Sequence, residues 1–290
     1  MTRGVAPRTE AGRPVASGPR KDAAPASVAP PRGRSGKGEP QRRHAWRRSS
    51  AARLGLTFLA MIGWRLEHLT PLWGIGGAAS LFVAHALMAR DDWRLTVPYF
   101  VLTLLLYYGG NSVILASALP EWATRRFGER RAWRAYESLL GVMFLNQGLG
   151  VGCMTALSLP GVNLLDGVPW LRALGALLFV VGVAVKGWAT WLVGADAFYY
   201  KDLYLRRPRG TLVRRGPYRF LRNPMYGVGQ LQGYGYALVA ASPMGLIAAG
   251  IGQLLIYVFF FVVERPFVRA AYRVRDPAEG AGYGAVDKTD

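Results

Sequence analysis

The sequence predicts an all-α integral membrane protein with about five to seven transmembrane or re-entrant helices and a C-terminal helical hairpin. Three observations carry that prediction. Hydrophobic residues make up 51% of the 290, yet the formal net charge is +19, a pairing that soluble domains rarely show. The two properties are separated along the chain, long apolar runs alternating with short connectors loaded with arginine. Several of the runs approach the ~20 residues that an α-helix needs to cross a ~30 Å hydrocarbon core.

The elements follow in chain order. Residues 1–50 hold twelve Lys/Arg, three acids and seven prolines, with almost no large apolar residue before Trp46. Such a segment buries too little surface to offset its chain entropy, so a disordered basic cytoplasmic tail is expected. Its charge suits anionic lipid, at about 1 kcal/mol per basic residue near the surface, or equally a solvated tail obeying the positive-inside rule. The first thirty residues lack the apolar core of a secretory signal. Leu54–Trp64 is short for a span and reads as an interfacial or re-entrant piece, or the start of a tilted helix. Spans are expected at Pro71–Met88, Leu95–Leu119, Leu139–Leu159 and Trp170–Gly194. Two further arms, Met225–Ala240 and Met244–Val263, flank the turn signal Ser242-Pro243. The implied organisation is a tail at 1–50, an N-terminal membrane region at 51–135, a core at 136–275 and a C-terminal tail at 276–290.

Glycine pairs at spacing four, Gly148/Gly152 and Gly229/Gly233, suggest close helix packing. The run Gly148-Leu-Gly-Val-Gly152 follows no strand, so it is not a nucleotide-binding loop. Arginine placement sets the expected orientation. Glu121–Glu137, Ala195–Arg222 and the stretch from Arg265 to Arg275 are dense in arginine, whereas Pro160–Pro169 has no basic residue. The first three therefore belong in the cytoplasm, together with the N-terminus, and Pro160–Pro169 lies outside. Only five of the 36 basic residues are lysine, which suggests a GC-rich bacterial genome and hence a bacterial cytoplasmic membrane.

Cys153 stands alone, and histidine occurs only as His44, His68 and His85. That inventory excludes a Cys/His zinc site, and no metal is expected. A nucleic-acid partner is not expected either; a membrane lipid is.

The residues that carry chemistry lie between Gly182 and Tyr272. Gly194-Ala-Asp-Ala-Phe-Tyr-Tyr-Lys-Asp202 ends one span, and Arg214-Arg215-Gly216-Pro-Tyr218 through Arg222-Asn223-Pro224-Met225-Tyr226 opens the next arm. Glu264-Arg265-Pro266-Phe267, followed by Arg269, ends the last. As helices the two arms rise ~24 Å and ~30 Å at about 1.5 Å per residue. A tight turn between them makes an αα-hairpin. Its closure returns Glu264 to the membrane depth of Asn223 and Tyr226, where a polar cofactor could enter from the cytosol and a lipid from the side.

Asn223-Pro-Met-Tyr226, Ala241-Ser-Pro243 with Gly245-Leu246, and Glu264 followed by Pro266-Phe267 and Tyr272 resemble phosphatidylethanolamine N-methyltransferase. The wider pattern Gly216-Pro-Tyr218 to Arg222-x-Pro-x-Tyr226 is shared with isoprenylcysteine carboxyl methyltransferases. The resemblance covers roughly Trp170–Arg273. It implies a membrane methyltransferase using S-adenosyl-L-methionine, most simply one that N-methylates a phosphatidylethanolamine-type phospholipid. On that resemblance the cofactor-binding residues are Gly182, Gly194, Asp202, Asn223, Pro224, Met225, Tyr226 and Glu264. Glu264 and Tyr226 are also the catalytic candidates. Arg215, Arg219, Arg222, Arg265 and Arg269 are the candidates for the lipid headgroup, since an arginine fork suits phosphate. Val180 stands where the family has the first glycine of a Gly-x-Gly, and Arg265 where it has a second acid.

Other readings compete. The acceptor of an O- or S-methyltransferase would be a prenylcysteine carboxylate, a thiol or another hydrophobic small molecule. A sterol-type NADPH reductase and a non-catalytic membrane scaffold are the alternatives of other classes. Asp202 could cap a helix or pair with Lys201, the arginines could serve orientation alone, and Lys186 could snorkel to the interface.

Overall fold

A computed structural model describes residues 50–65, 70–158, 168–208 and 212–272. The expected tails, and nearly all of Pro160–Pro169, lie outside the described residues. Among the described residues every regular element is helical. They are α1 Ser50–Met61, α2 Pro71–Arg90, α3 Trp93–Ala116, α4 Leu119–Phe127, α5 Glu129–Ala156 and α6 Pro169–Val193. Two single turns follow, α7 Ala195–Phe198 and α8 Lys201–Tyr204, then α9 Leu231–Val239 and α10 Pro243–Ala271.

Five of these, α2, α3, α5, α6 and α10, are long and apolar enough to cross a membrane. Their outer faces support the same reading. Ile75, Phe82, Val113, Leu177, Leu254 and Val262 are large, apolar and exposed, which a water-facing surface would not present in such number. Along α6 the exposed tryptophans are Trp170 near one end and Trp188 and Trp191 near the other. Their separation is ~27–31 Å at 1.5 Å per residue, the spacing of two aromatic belts.

Local chemistry sets the helix ends. The Thr70 hydroxyl accepts from the Trp73 amide at 3.2 Å, with Pro71 opening α2. Asp92 caps α3 through the Arg94 amide at 2.8 Å. Ser242 accepts from the Gly245 amide at 3.0 Å, with Pro243 at the first position of α10. The Ser-Pro turn is therefore a helix cap whose proline lacks a donor that would have gone unused anyway.

Two expectations change. Glu121–Glu137 is not a loop, because α4 and the first turns of α5 occupy it. Arginine, glutamate and alanine are good helix formers, so the helix continues beyond the apolar run. Met225–Ala240 is not one helical arm either, since its α-helix begins only at Leu231. Upstream the chain forms a turn that continues into a 3₁₀ piece, Val228–Gln230. Asn223 stabilises that turn, its side-chain oxygen accepting from the Tyr226 amide at 3.3 Å. This is the local bond by which asparagine competes with a helix.

α9 packs tightly along α6. A β-carbon on Gly182 would meet the Gln232 amide, and one on Gly235 would meet the Phe179 amide and the Gly175 carbonyl. The glycine pairs at spacing four behave differently. Gly229 faces Lys186 while Gly233 faces Ala249; Gly152 faces Met88 while Gly148 has open space around it. Among the described residues the helices from α1 to α10 belong to one compact unit, and α5 runs unbroken through position 135.

Since Gly182 abuts backbone rather than a flexible side chain, Gly182→Ala should lower stability by about 1–3 kcal/mol. Thermal unfolding and S-adenosylmethionine titration of the variant check this together. A stable variant that has lost cofactor affinity would assign Gly182 to the ligand instead.

Candidate active site

A cavity of about 820 Å³ lies among α1, α3, α5, α6, α9 and α10. Its wall is mostly apolar and aromatic, including Phe58, Tyr107, Phe144, Phe198, Met225 and Ile256. Glu264 lies on this wall, at the end of a π-helical stretch, Phe260–Glu264, inside α10. A second π-helical stretch, Leu105–Gly110 in α3, brings Tyr107 and Tyr108 to the same wall. Such insertions shift the helix face that a side chain occupies and often sit at functional sites.

Tyr226 donates its hydroxyl hydrogen bond to Glu264 Oε2 at 2.8 Å. The Tyr200 and Tyr226 hydroxyls lie 3.3 Å apart, and either can be the donor. Tyr200 is held in the left-handed region at φ 60°, a strain of about 1–3 kcal/mol for a non-glycine residue. Burial, and then the Glu264 charge, pushes the Tyr226 phenol well above its ordinary value; for Tyr200 burial, Tyr226 and Glu264 act the same way. These tyrosines therefore stay protonated as donors. Tyr218 is pushed up by burial and by Glu264 as well, and its buried hydroxyl has no hydrogen-bond partner among the described residues.

The structure sorts the residues expected from the sequence into three groups. Glu264, Tyr226 and Met225 line the cavity, Met225 with its sulfur 3.6 Å from the Thr190 hydroxyl. Asn223 and Pro224 build the turn beneath them: the fully buried Pro224 offers its carbonyl to the Gly229 amide at 2.8 Å. Gly182, Gly194 and Asp202 are not on the wall. Gly182 is a packing contact, and Gly194, at φ 85°, turns the chain from α6 into α7. Lys201 pairs with Asp196 at 2.7 Å. Arg215, Arg219 and Arg222 are exposed on the preceding segment, and Arg265 and Arg269 are half-buried; none of the five lines the cavity.

A charged network beside the site was not read from the sequence. Arg65 meets Glu137 at 2.6 Å and Asp196 at 2.8 Å. It also lies over the Tyr199 ring at 5.6 Å, whose hydroxyl donates to the Ala60 carbonyl. Burial alone would raise the Asp196 carboxyl, but the hydrogen bonds and charges of Lys201 and Arg65 outweigh it and hold it at about 2. The network ties the α1–α2 connection, α5 and the α7–α8 turns together around Tyr199 and Tyr200.

With this geometry in place, comparison with known proteins gives a consistent answer. Residues 170–275 match the phospholipid methyltransferase family. Among the similar proteins are phosphatidylethanolamine N-methyltransferases of yeasts. That of Meyerozyma guilliermondii is 26% identical over 173 residues, 56% of this chain and 20% of the relative. That of Komagataella phaffii is 29% identical over 147 residues, 50% of this chain and 16% of its own length. That of Clavispora lusitaniae reaches 34% over 114 residues, 37% of this chain and 13% of the relative. The chain thus spans a fifth or less of these relatives. No solved structure matches. The matching segment contains α6, the turn at Asn223–Tyr226 and the hairpin α9–α10. It therefore supplies Glu264, Tyr226, Tyr200 and Lys186, while α1, α3 and α5 close the cavity from outside the segment. Together with the five apolar helices, the match makes this an integral membrane protein.

Proposed function

We propose that the protein is an S-adenosylmethionine-dependent methyltransferase that N-methylates a phosphatidylethanolamine-type lipid. The observation that supports this most is the Glu264 carboxylate, held by Tyr226 at 2.8 Å on the wall of an apolar cavity within the matching segment. The residues present fit the cofactor. A cavity of about 820 Å³ lies within the usual range for small-molecule sites. Its aromatic rings suit a cation, and Glu264 suits an ammonium or a sulfonium. When bound, S-adenosylmethionine supplies an electrophilic methyl group on a sulfonium.

The chain's part is placement and proton handling. Apolar walls exclude water, and Tyr226 fixes the rotamer of Glu264, so alignment contributes most of the rate effect. An amine reacts only in its neutral form, and Glu264 is placed to take the proton that it sheds. The exposed arginines Arg215, Arg219 and Arg222 draw anionic headgroups to the membrane surface. The site lies toward the end of α6 that leads into the arginine-rich 195–222 segment, which the positive-inside rule assigns to the cytoplasm. Titration of the detergent-solubilised protein with S-adenosylmethionine and with NADPH tests the cofactor. Saturable binding of the first alone is expected, and binding of NADPH alone would transfer the chain to the reductase class.

A further inference from the structure

The buried cation of α6 is left unused by the mechanism above. Lys186 is 8% exposed, and its ammonium lies over the Phe144 ring, 5.7 Å from the centroid. It borders the same cavity as Glu264. No carboxylate pairs with it among the described residues. The side chain does not snorkel outward, although Trp191 of the interfacial belt is only five residues away. Its stem is wedged at Gly229, where an added β-carbon would sit 3.1 Å from Lys186 Cβ. Charge inside a span is costly and, when kept, marks a function.

Among the residues lining the cavity, Lys186 and Glu264 are the two that carry formal charge, and the signs are opposite. An apolar chamber with one fixed cation and one fixed anion matches a zwitterionic amphiphile. The oxyanion of such a ligand would meet the lysine, its amine the carboxylate, and its chains the apolar wall. We propose that Lys186 receives the phosphodiester oxyanion of the acceptor lipid and so turns the lipid's amine toward Glu264. The proposal rests on the methyltransferase reading and goes beyond it. It makes an anionic group on the acceptor a requirement, whereas uncharged thiols and simple alkylamines are poor substrates. The cofactor's carboxylate is the other source of an oxyanion, and the test separates the two.

The experiment uses the full-length protein in detergent, as wild type, Lys186→Met and Lys186→Arg. Three equilibrium affinities are measured: lysophosphatidylethanolamine, hexadecylamine (which has no phosphate) and S-adenosylmethionine. Methionine keeps the stem and removes the charge, and Lys186→Gln replaces it if the methionine variant fails to fold. The methionine variant should bind lysophosphatidylethanolamine roughly tenfold or more weakly, the loss of a charge-assisted hydrogen bond. Hexadecylamine and S-adenosylmethionine affinities should stay within about twofold, and Lys186→Arg should restore most of the lipid affinity. Weakened cofactor binding with unchanged lipid binding would place the cofactor's carboxylate at Lys186 and overturn the proposal. Unchanged affinity for all three would reduce Lys186 to packing and overturn it as well. Wild type that binds the lipid but transfers no methyl group to it would instead sink the phospholipid N-methyltransferase reading while leaving the lysine's role measured.

Discussion

Glu264→Gln should weaken S-adenosylmethionine binding by about 1.5–3 kcal/mol, roughly 10- to 150-fold, because it removes one charge-assisted hydrogen bond. Glutamine has the same shape, and its amide oxygen can still accept from Tyr226, which now donates at 2.8 Å. The fold should therefore survive, and unfolding temperature in detergent should barely move. Tyr226→Phe should act in the same direction but less strongly, since it frees the carboxylate without discharging it. Calorimetric titration of the purified variants reads both effects. Full cofactor affinity in well-folded Glu264→Gln would remove the carboxylate from the cofactor site.

Arg65→Ala should be the most destabilising of the substitutions considered, at about 3–5 kcal/mol, because it takes the cation away from a buried carboxylate. The Glu137 side chain is only 2% exposed, and Arg65 lies 2.6 Å from it. Asp196 would keep Lys201 at 2.7 Å, so the loss falls mainly on Glu137. In thermal unfolding the shift should be on the order of 10 °C. Arg65→Met combined with Glu137→Met should recover most of it, since apolar replacement of both partners of a buried pair is often neutral. If Arg65→Ala unfolds at the wild-type temperature, the network is ornamental and Tyr199 and Tyr200 are placed by other contacts.

The spans were readable from the sequence because bilayer thickness imposes a length on them. Pro71–Met88 became Pro71–Arg90, and Trp170–Gly194 became Pro169–Val193. The convergence of Glu264 and Tyr226 could also be anticipated, since a closed hairpin leaves few places for residues at matching depths. What stayed hidden depends on contacts between distant segments. Helices extend beyond the apolar runs, so the arginine-bearing last turn of α4 and first turns of α5 read as a connector. Asn223 and Pro224 looked like a helix opening, but the asparagine's bond to the Tyr226 amide favours a turn. Arg65, Glu137 and Asp196 are far apart in sequence and carry no shared spacing, so nothing local announces their pairing. Lys186 was visible as a charge in a span, yet a snorkelling and an inward-facing lysine have the same sequence. The tandem Tyr199-Tyr200 was a signal that could have been weighed more heavily: one ring stacks under Arg65 and the other meets Tyr226.

Purified protein incubated with methyl-labelled S-adenosylmethionine and phosphatidylethanolamine in mixed micelles is the most direct measurement of the central claim. Label should appear in the lipid fraction as the monomethylated headgroup, should grow with lipid content of the micelle, and should be lost in Glu264→Gln. Label that enters a prenylcysteine or a hydrophobic thiol while phosphatidylethanolamine and its monomethyl form remain unlabelled would contradict the phospholipid assignment.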